Sequence, residues 1–373
     1  MIIKRKYLAN LLSSIFTILI LSIILIKPKI YNIKGDYTKG NIIIWTEEQY
    51  YEYFLNIANE FEEINKKVKI EVVNVDSEDY LQKILHTDKE DLPNIVHLDF
   101  KELGQIKDNI YFIDENKEII ETYNKNFNKS RIQQVKTNEN YDAIPFTSNP
   151  IALFLRSDIL NSYGYNVEDI RTWDQLIKMG EDIHIKSNGE IGLFSSEDRD
   201  NINFILTAQL VDLANKKYSG DEILEEIRKI YNNNFIKDSN YICRVSSLGF
   251  YRELKEEKIN GVWECTNPPS FNIGENRFYD LGGENLVTLK VNNNEEALRG
   301  FISYVISNKE RLSKELISYN FIPSSLYSLK INNIDNNKNI NGNNPFLILI
   351  KIVERVPEIK NYKEFEDIIY KIY

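Results

Sequence analysis

The chain has 373 residues, 46 basic and 56 acidic side chains, and a formal charge of −10. That length holds about two domains, and the acidic balance (pI ≈ 5.1) excludes the basic face of a dedicated nucleic-acid binder. Two cysteines and three histidines leave little material for a disulfide framework, a zinc cluster or His-based acid–base chemistry.

At the N-terminus, Lys4, Arg5 and Lys6 precede an uncharged run over residues 8–26. As a helix this run spans about 28 Å, close to a bilayer core. Bulky or charged residues follow, from Lys27 to Tyr31, with no small-x-small cleavage pattern and no cysteine for lipid attachment. The pattern predicts an uncleaved signal-anchor, a transmembrane helix with its basic end inside and the body extracellular. A signal peptide cut at an atypical site, and so a secreted body, is the alternative. Residues 1–40 are then anchor and spacer.

The body opens with a continuous apolar run at 41–45, of the kind a buried parallel strand shows. Residues 50–65 carry Tyr51, Phe54, Leu55, Ala58 and Phe61 at helical spacing. Residues 68–75 alternate as a strand, 79–85 predict a short helix, and 94–99 form an apolar strand ending in an acid. Strand and helix in alternation predict an α/β fold with doubly wound parallel sheets, which bind ligands at the carboxyl ends of their strands. Further on, strands are predicted at 151–155, 191–194 and 285–291. Thr172 caps a predicted helix over 173–182, and helices follow at 203–213, 221–231, 294–307, 309–318, 346–355 and 362–372. Residues 332–344 read as an Asn-rich loop.

Seven blocks stand in order along this body: Asn41 to Trp45 before an acidic loop; Leu92-Pro93-Asn94-Ile95-Val96 through Asp99 to Gly104; Tyr141-Asp142-Ala143-Ile144-Pro145-Phe146 through Asp158-Ile159-Leu160; Gly164, then Thr172-Trp173-Asp174-Gln175-Leu176; Asn260-Gly261-Val262-Trp263; Gly282-Gly283, then Glu295-Glu296-Ala297 to Phe301; and Phe321-Ile322-Pro323-Ser324. Together they resemble the sugar-binding extracellular solute-binding proteins of ABC importers, the family that includes maltose-binding protein. Two departures are the missing lipid-attachment cysteine and Leu155-Arg156-Ser157-Asp158 where the family has Tyr-Asn-Lys-Asp. The Gly-Lys-x-Ala-Met stretch before the Asn-Gly-x-Trp segment is also missing, which leaves the ligand class open. The resemblance implies a two-lobed periplasmic-binding-protein-like fold of type II, with discontinuous lobes at 41–147 plus 284–318 and at 148–283 plus 319–373. It further implies no cofactor and no metal, a monomer, a sugar or oligosaccharide ligand, and ABC permease subunits as partners.

A sugar offers apolar faces to aromatic rings and hydroxyls to carboxylates, amides and arginines. Trp45 ends a predicted strand, where it either lines the cleft or packs beneath the loop. Glu47 and Glu48 follow as hydroxyl acceptors or as helix-start acids. Asp99 and Phe100 pair an acid with an aromatic, or serve as helix cap and core. Thr147, Ser148 and Asn149 fall where the family hinge lies. By the resemblance, Trp263 is the stacking aromatic of the second lobe, while Trp173 packs behind its helix start. Glu197 follows a second-lobe strand, and Tyr279 and Gly283 lie near the lobe crossing. His86, His97 and His184 read as structural. Cys243 and Cys265 either pair or stay free. The sequence leaves three rivals open: an exported glycoside hydrolase with two opposed carboxylates, a tethered sensor of the same fold, and a binder of another small solute.

Overall fold

The computed structural model describes residues 39–213, 218–231, 236–318, 320–331 and 339–372. The uncharged run at 8–26, expected to span the membrane, and most of the Asn-rich loop lie outside the described residues. Among the described residues, no helix is long and apolar enough to cross a membrane.

The first half of the chain alternates as its apolar pattern dictates: β1 (Gly40–Thr46), α1 (Glu48–Ile64), β2 (Val68–Asn74), α2 (Tyr80–His86), β3 (Ile95–Leu98), α3 (Phe100–Leu103), α4 (Ile113–Tyr123), α5 (Lys129–Val135) and β4 (Ile144–Pro145). Helix α1 buries Tyr50, Tyr53, Phe54, Ile57, Ala58 and Phe61 along one face, the stripe that helical periodicity requires. After β5 (Thr147–Ser148) come β6 (Pro150–Arg156), α6 (Ser157–Ser162), α7 (Trp173–Lys186), β7 (Gly192–Ser195), α8 (Arg199–Val211), α9 (Gly220–Ile230), β8 (Ile236–Lys237), β9 (Tyr241–Ser246), α10 (Leu248–Lys255), β10 (Trp263–Thr266) and β11 (Tyr279–Asp280). The chain ends with β12 (Asn285–Thr288), α11 (Glu295–Ser307), α12 (Lys309–Ser318), β13 (Ile322–Pro323), α13 (Pro345–Arg355) and α14 (Tyr362–Ile372). The Thr172 cap forms as a reciprocal box with Gln175, worth about 1 kcal/mol.

Two main sheets result. The first has the order β2-β1-β3-β12-β4 and the second β8-β7-β9-β6-β10, with β11 also on β6. Neither is purely parallel, which corrects the doubly wound parallel expectation. Strand β12 runs antiparallel to β3, pairing Asn285 with Leu98, and β6 runs antiparallel to β9 and β10. The reason is where these strands start. Both β12 and β6 begin at the crossover between the sheets, at the end where their neighbours finish, and so must run the other way. One apolar core surrounds the first sheet, drawn from residues between Ile42 and Phe146 and between Leu286 and Phe321. Two more lie on the second sheet, one against α7, α8 and α14 and the other against α10 and α13.

Three chain segments cross between the sheets: Phe146 to Pro150, Asp280 to Asn285, and Phe321 to Ser325. They are stitched to one another. Pro323 pairs with Thr147, and the Phe146 and Thr147 amides both donate to the Glu284 carbonyl, at 2.9 and 3.0 Å. All three also meet at Arg131 of α5, whose side chain has no exposure. Its Nε donates to the Thr147 carbonyl at 3.1 Å and to Ser324 Oγ at 3.3 Å. Its Nη2 donates to the Gly283 and Glu284 carbonyls and, at 2.7 Å, to Asn285 Oδ1. Nη1 donates to Gln134. Burial lowers the Arg131 pKa, while the charges of Asp280 and Glu284 oppose that shift. A planar fork of donors is what reaches so many acceptors at once. Gly282 sits at φ 110°, and a Cβ on Gly283 would stand 2.5 Å from the Thr147 carbonyl oxygen. Both glycines are therefore demanded by the backbone.

Arg131→Met should cost about 3–5 kcal/mol, because it removes the one donor fork shared by buried oxygens of all three crossings. Arg131→Lys should recover little of this, since one ammonium cannot replace the fork. Urea denaturation of the three proteins measures both effects.

Candidate functional site

The carboxyl ends of β1, β3 and β4 point toward the crossovers, and the side chains there form a connected group. His97, at the end of β3, is buried. Its Nδ1 lies 3.1 Å from Glu284 Oε2, its Nε2 lies 3.0 Å from Thr46 Oγ1, and the Glu47 amide donates to Nε2 at 3.3 Å. The amide donor makes Nε2 the acceptor, so Nδ1 carries the proton toward Glu284. The ring stands edge-on to Tyr50 at 4.8 Å and stacks on Tyr80 at 5.1 Å. The Tyr80 hydroxyl donates to the Trp45 carbonyl at 2.9 Å and accepts from the His97 amide. Thr147 Oγ1 accepts from the Glu284 amide at 2.9 Å and also bonds Tyr50, whose pKa is raised by burial and by the Glu284 charge.

Glu47, His97 and Glu284 offer donor atoms within 4.8 Å of one another, which makes them the described group best suited to a cation. Both ring nitrogens are already engaged, however, and chelation would have to displace the Glu47 amide or the Glu284 carboxylate. The arrangement fits a strut better than a metal centre. It fixes the Glu284 carboxylate and the Glu47 backbone at the rim, both residues being half-buried. Glu47 starts α1 but makes no side-chain cap bond, so its oxygens remain open to a guest.

Two more acids complete this rim. Asp99 caps α3, accepting from the Glu102 amide at 2.8 Å, while Glu102 accepts from the Asp99 amide at 3.0 Å. Burial, and then the Asp99 charge, push the Glu102 carboxyl up to about 7. Burial likewise raises Asp99.

The second lobe faces this rim through the carboxyl ends of β7 and β9. Arg252, exposed on α10, lies within electrostatic reach of Tyr50. Past β7, Glu197 and Asp198 bind Arg244 at 2.6 and 2.8 Å. Asp200, in the first turn of α8, pairs with Lys101 of α3 at 3.1 Å.

Of the residues singled out from sequence, the structure brings Glu47, Asp99, Thr147 and Gly283 to this one region. Trp45 is there too, but only 8 % exposed, with Lys83 Nζ 4.6 Å from its ring centre. Glu48 is exposed and bonds Asn74. Phe100 is buried in the second lobe's core and stacks on Tyr370. Glu197 is a partner of Arg244 with 70 % of its side chain exposed. Tyr279 donates to the Asn276 carbonyl and lines a cavity of about 240 Å³ between α8 and the 356–360 segment, rather than the rim.

Trp263 is corrected outright. It is 1 % exposed and pairs with Arg156, the far end of β6, whereas the crossover end is Pro150. Six residues of strand put it roughly 20 Å from the crossovers. Its indole packs on Phe250 at 5.0 Å and donates to the Asn260 carbonyl. Trp173 is structural as read, 1 % exposed and donating to Gln209 at 2.7 Å. Cys243 and Cys265 are free and lie on strands either side of β6.

Sequence reading missed Tyr50, Glu284, Arg131 and Arg252 as site residues. Glu284 had a signal, since it follows the Gly282-Gly283 pair. Arg252 had none, being one cation on an amphipathic helix.

Residues 56–242, half of the chain, match the model of the family described as bacterial extracellular solute-binding protein. No curated protein matches the chain. Among solved structures, the sugar-binding protein MalE of Xanthomonas citri is 16% identical over 89% of this chain and 90% of its own, with a TM-score of 0.69. The GacH receptor of Streptomyces glaucescens, solved with acarbose and without ligand, is 16% identical over 90% and 92%, with a TM-score of 0.62. The substrate-binding protein Lmo0181 of Listeria monocytogenes, in complex with cycloalternan, is 12% identical over 90% and 95%, at 0.59. At these identities they show the two-lobed fold.

The raised Glu102 carboxyl has a consequence for stability. An acid whose folded pKa exceeds the ordinary 4.5 opposes folding once ionised, so its penalty is absent below about pH 4.5 and complete above about 7. Stability should therefore fall through that window, and Glu102→Gln, which keeps an acceptor for the Asp99 amide, should flatten the fall. Denaturation midpoints on both sides of the window measure it.

Proposed function

The chain belongs to the bacterial extracellular solute-binding proteins, the capture components of ABC transporters, and on that premise we propose that it captures a carbohydrate between its two lobes. The lobes of this reading are 41–147 plus 284–318 and 148–283 plus 319–373. The protein acts as a monomer without catalysis, held at the outer face of the membrane by the segment before residue 40, and hands a sugar or oligosaccharide to the permease.

The observation that carries the reading is the placement of Glu47 and Glu284 beside Thr147 and Tyr50 on one rim. A carboxylate held by an internal strut, as on Glu284, is a hydroxyl acceptor that needs little reorganisation when a polyol arrives, and Glu47 beside it has its oxygens open. Arg252 supplies donors from the opposite side, so a guest touching both rims holds the lobes together. The described ligands of structures with this fold, acarbose and cycloalternan among them, support a carbohydrate. Glu47, Glu284 and Arg252 replace Trp263 as the contacts on which the reading depends.

A thermal-shift screen of neutral oligosaccharides tests this. A true ligand at a hundredfold excess over its Kd adds about 2.7 kcal/mol of stability. Glu47→Gln and Glu284→Gln should each weaken that ligand by about 10–100-fold while leaving the free protein's melting temperature close to the parent's. A panel without any shift, or variants that bind as the parent does, would retire the assignment.

A further inference from the structure

The lobes touch through more than their three crossovers. Helix α3 belongs to the first lobe by position, since it follows β3 directly, yet its Phe100 is only 7 % exposed and packs within the second lobe's core. The ring stacks on Tyr370 of α14, with centroids 5.3 Å apart and planes 16° from parallel. At Gly104, just past α3, a Cβ would lie 3.4 Å from the Tyr370 hydroxyl oxygen. Beside this stack, Lys101 Nζ meets Asp200 Oδ2 at 3.1 Å.

These contacts stand away from the hinge. Helix α14 begins at Tyr362, whose hydroxyl feels the charge of Arg131 among the crossovers. Eight residues later Tyr370 feels Asp99 of the first lobe. At the rise of an α-helix these tyrosines are roughly 12 Å apart along the axis. Helix α14 is anchored on α8 by Phe365 against Phe204, so it moves with the second lobe. It is a lever running from the hinge to α3.

We propose that the Phe100–Tyr370 stack and the Lys101–Asp200 pair form a latch that holds the lobes closed and sets the share of molecules able to grip a ligand. A hinge rotation that opens the cleft at α3 must unstack the rings and part the ions, while the hydrogen bonds around Arg131 persist. Lys101 has Asp99 and Glu102 as near neighbours on its own helix, and Asp200 lies in the first turn of α8, so each charge has a local complement when the latch is open. Closing therefore costs little desolvation, and the latch works as a bias. Where the capture reading holds, apparent ligand affinity scales with the closed share, and latch residues tune it without touching the guest.

The test needs no ligand, so its outcome is independent of the capture reading. Nitroxides on cysteines replacing exposed Glu78 of the first lobe and Lys178 of the second report the interlobe distance by pulsed electron spin resonance in the full chain. Tyr370→Ala should lower the short-distance population roughly two- to tenfold relative to the long one. Lys101→Glu should shift it in the same direction, and the double variant Lys101→Glu with Asp200→Lys should bring it back. Urea midpoints should stay near the parent's, because each lobe keeps its own core. An unchanged distance distribution in both single variants, or a double variant no closer to the parent than Lys101→Glu alone, overturns the latch.

Discussion

Everything about this fold's two-part design passes through one guanidinium. Arg131 lies fully buried, surrounded by carbonyl, amide and hydroxyl oxygens from the three chain crossings. A buried charge survives only when its donors are nearly all engaged. Here that requirement runs in reverse: three crossings must come within hydrogen-bond reach of one point for the arginine to be tolerated at all. The hinge is thereby fixed in space. Strand direction follows from it, because β6 and β12 start at the crossovers and the remaining long strands end there. The rims that face each other are the carboxyl ends of strands, where a ligand is met in this kind of sheet.

The rim of the first lobe is built with the same economy. His97 ties β1 to β12 by accepting from the Glu47 amide and facing Glu284, and the aromatic rings of Tyr50, Tyr80 and Phe54 box it in. Glu47 and Glu284 are separated by more than two hundred residues in sequence, yet a single imidazole sets their separation in space. The acids nearby are less relaxed. Glu102 shares its neighbourhood with Asp99, Glu284 and Glu47, a concentration of negative charge that a neutral polyol tolerates and an anion would not.

The apolar runs at 41–45, 94–99 and 151–155, and the stripes of the first and last helices, could be read as elements because burial demands them wherever they fall. The capping box at Thr172 was equally local. Other features had no local trace. The neighbours of Arg131 in sequence say nothing of acceptors more than 150 residues away. Strand β9, Tyr-Ile-Cys-Arg-Val-Ser, carries a charged residue in its middle, and only its partner Asp198 on another element explains why a strand can bury it. Trp263 was misplaced because a short motif was weighed above strand context: a tryptophan between alternating residues at the start of a strand points into a core. Phe100 takes the core alternative that its sequence left open, but in the other lobe's core, since a residue at a strand end can pack on the other lobe as readily as on its own.

The position of β12 has a consequence for how the chain reaches this state. It is an inner strand, bonded to β3 on one side and β4 on the other, but about 140 residues of second lobe separate it from β4 in sequence. Until those residues have been made and exported, β3 and β4 each present an unpaired edge, the surface on which β-rich chains aggregate. The second lobe takes its strands from one unbroken stretch, from β6 to β11, and can assemble while it waits. Folding order is thus constrained by the insertion itself: the second lobe's sheet can pair before β12 returns to complete the first, and α13 and α14 close the second lobe's cores last.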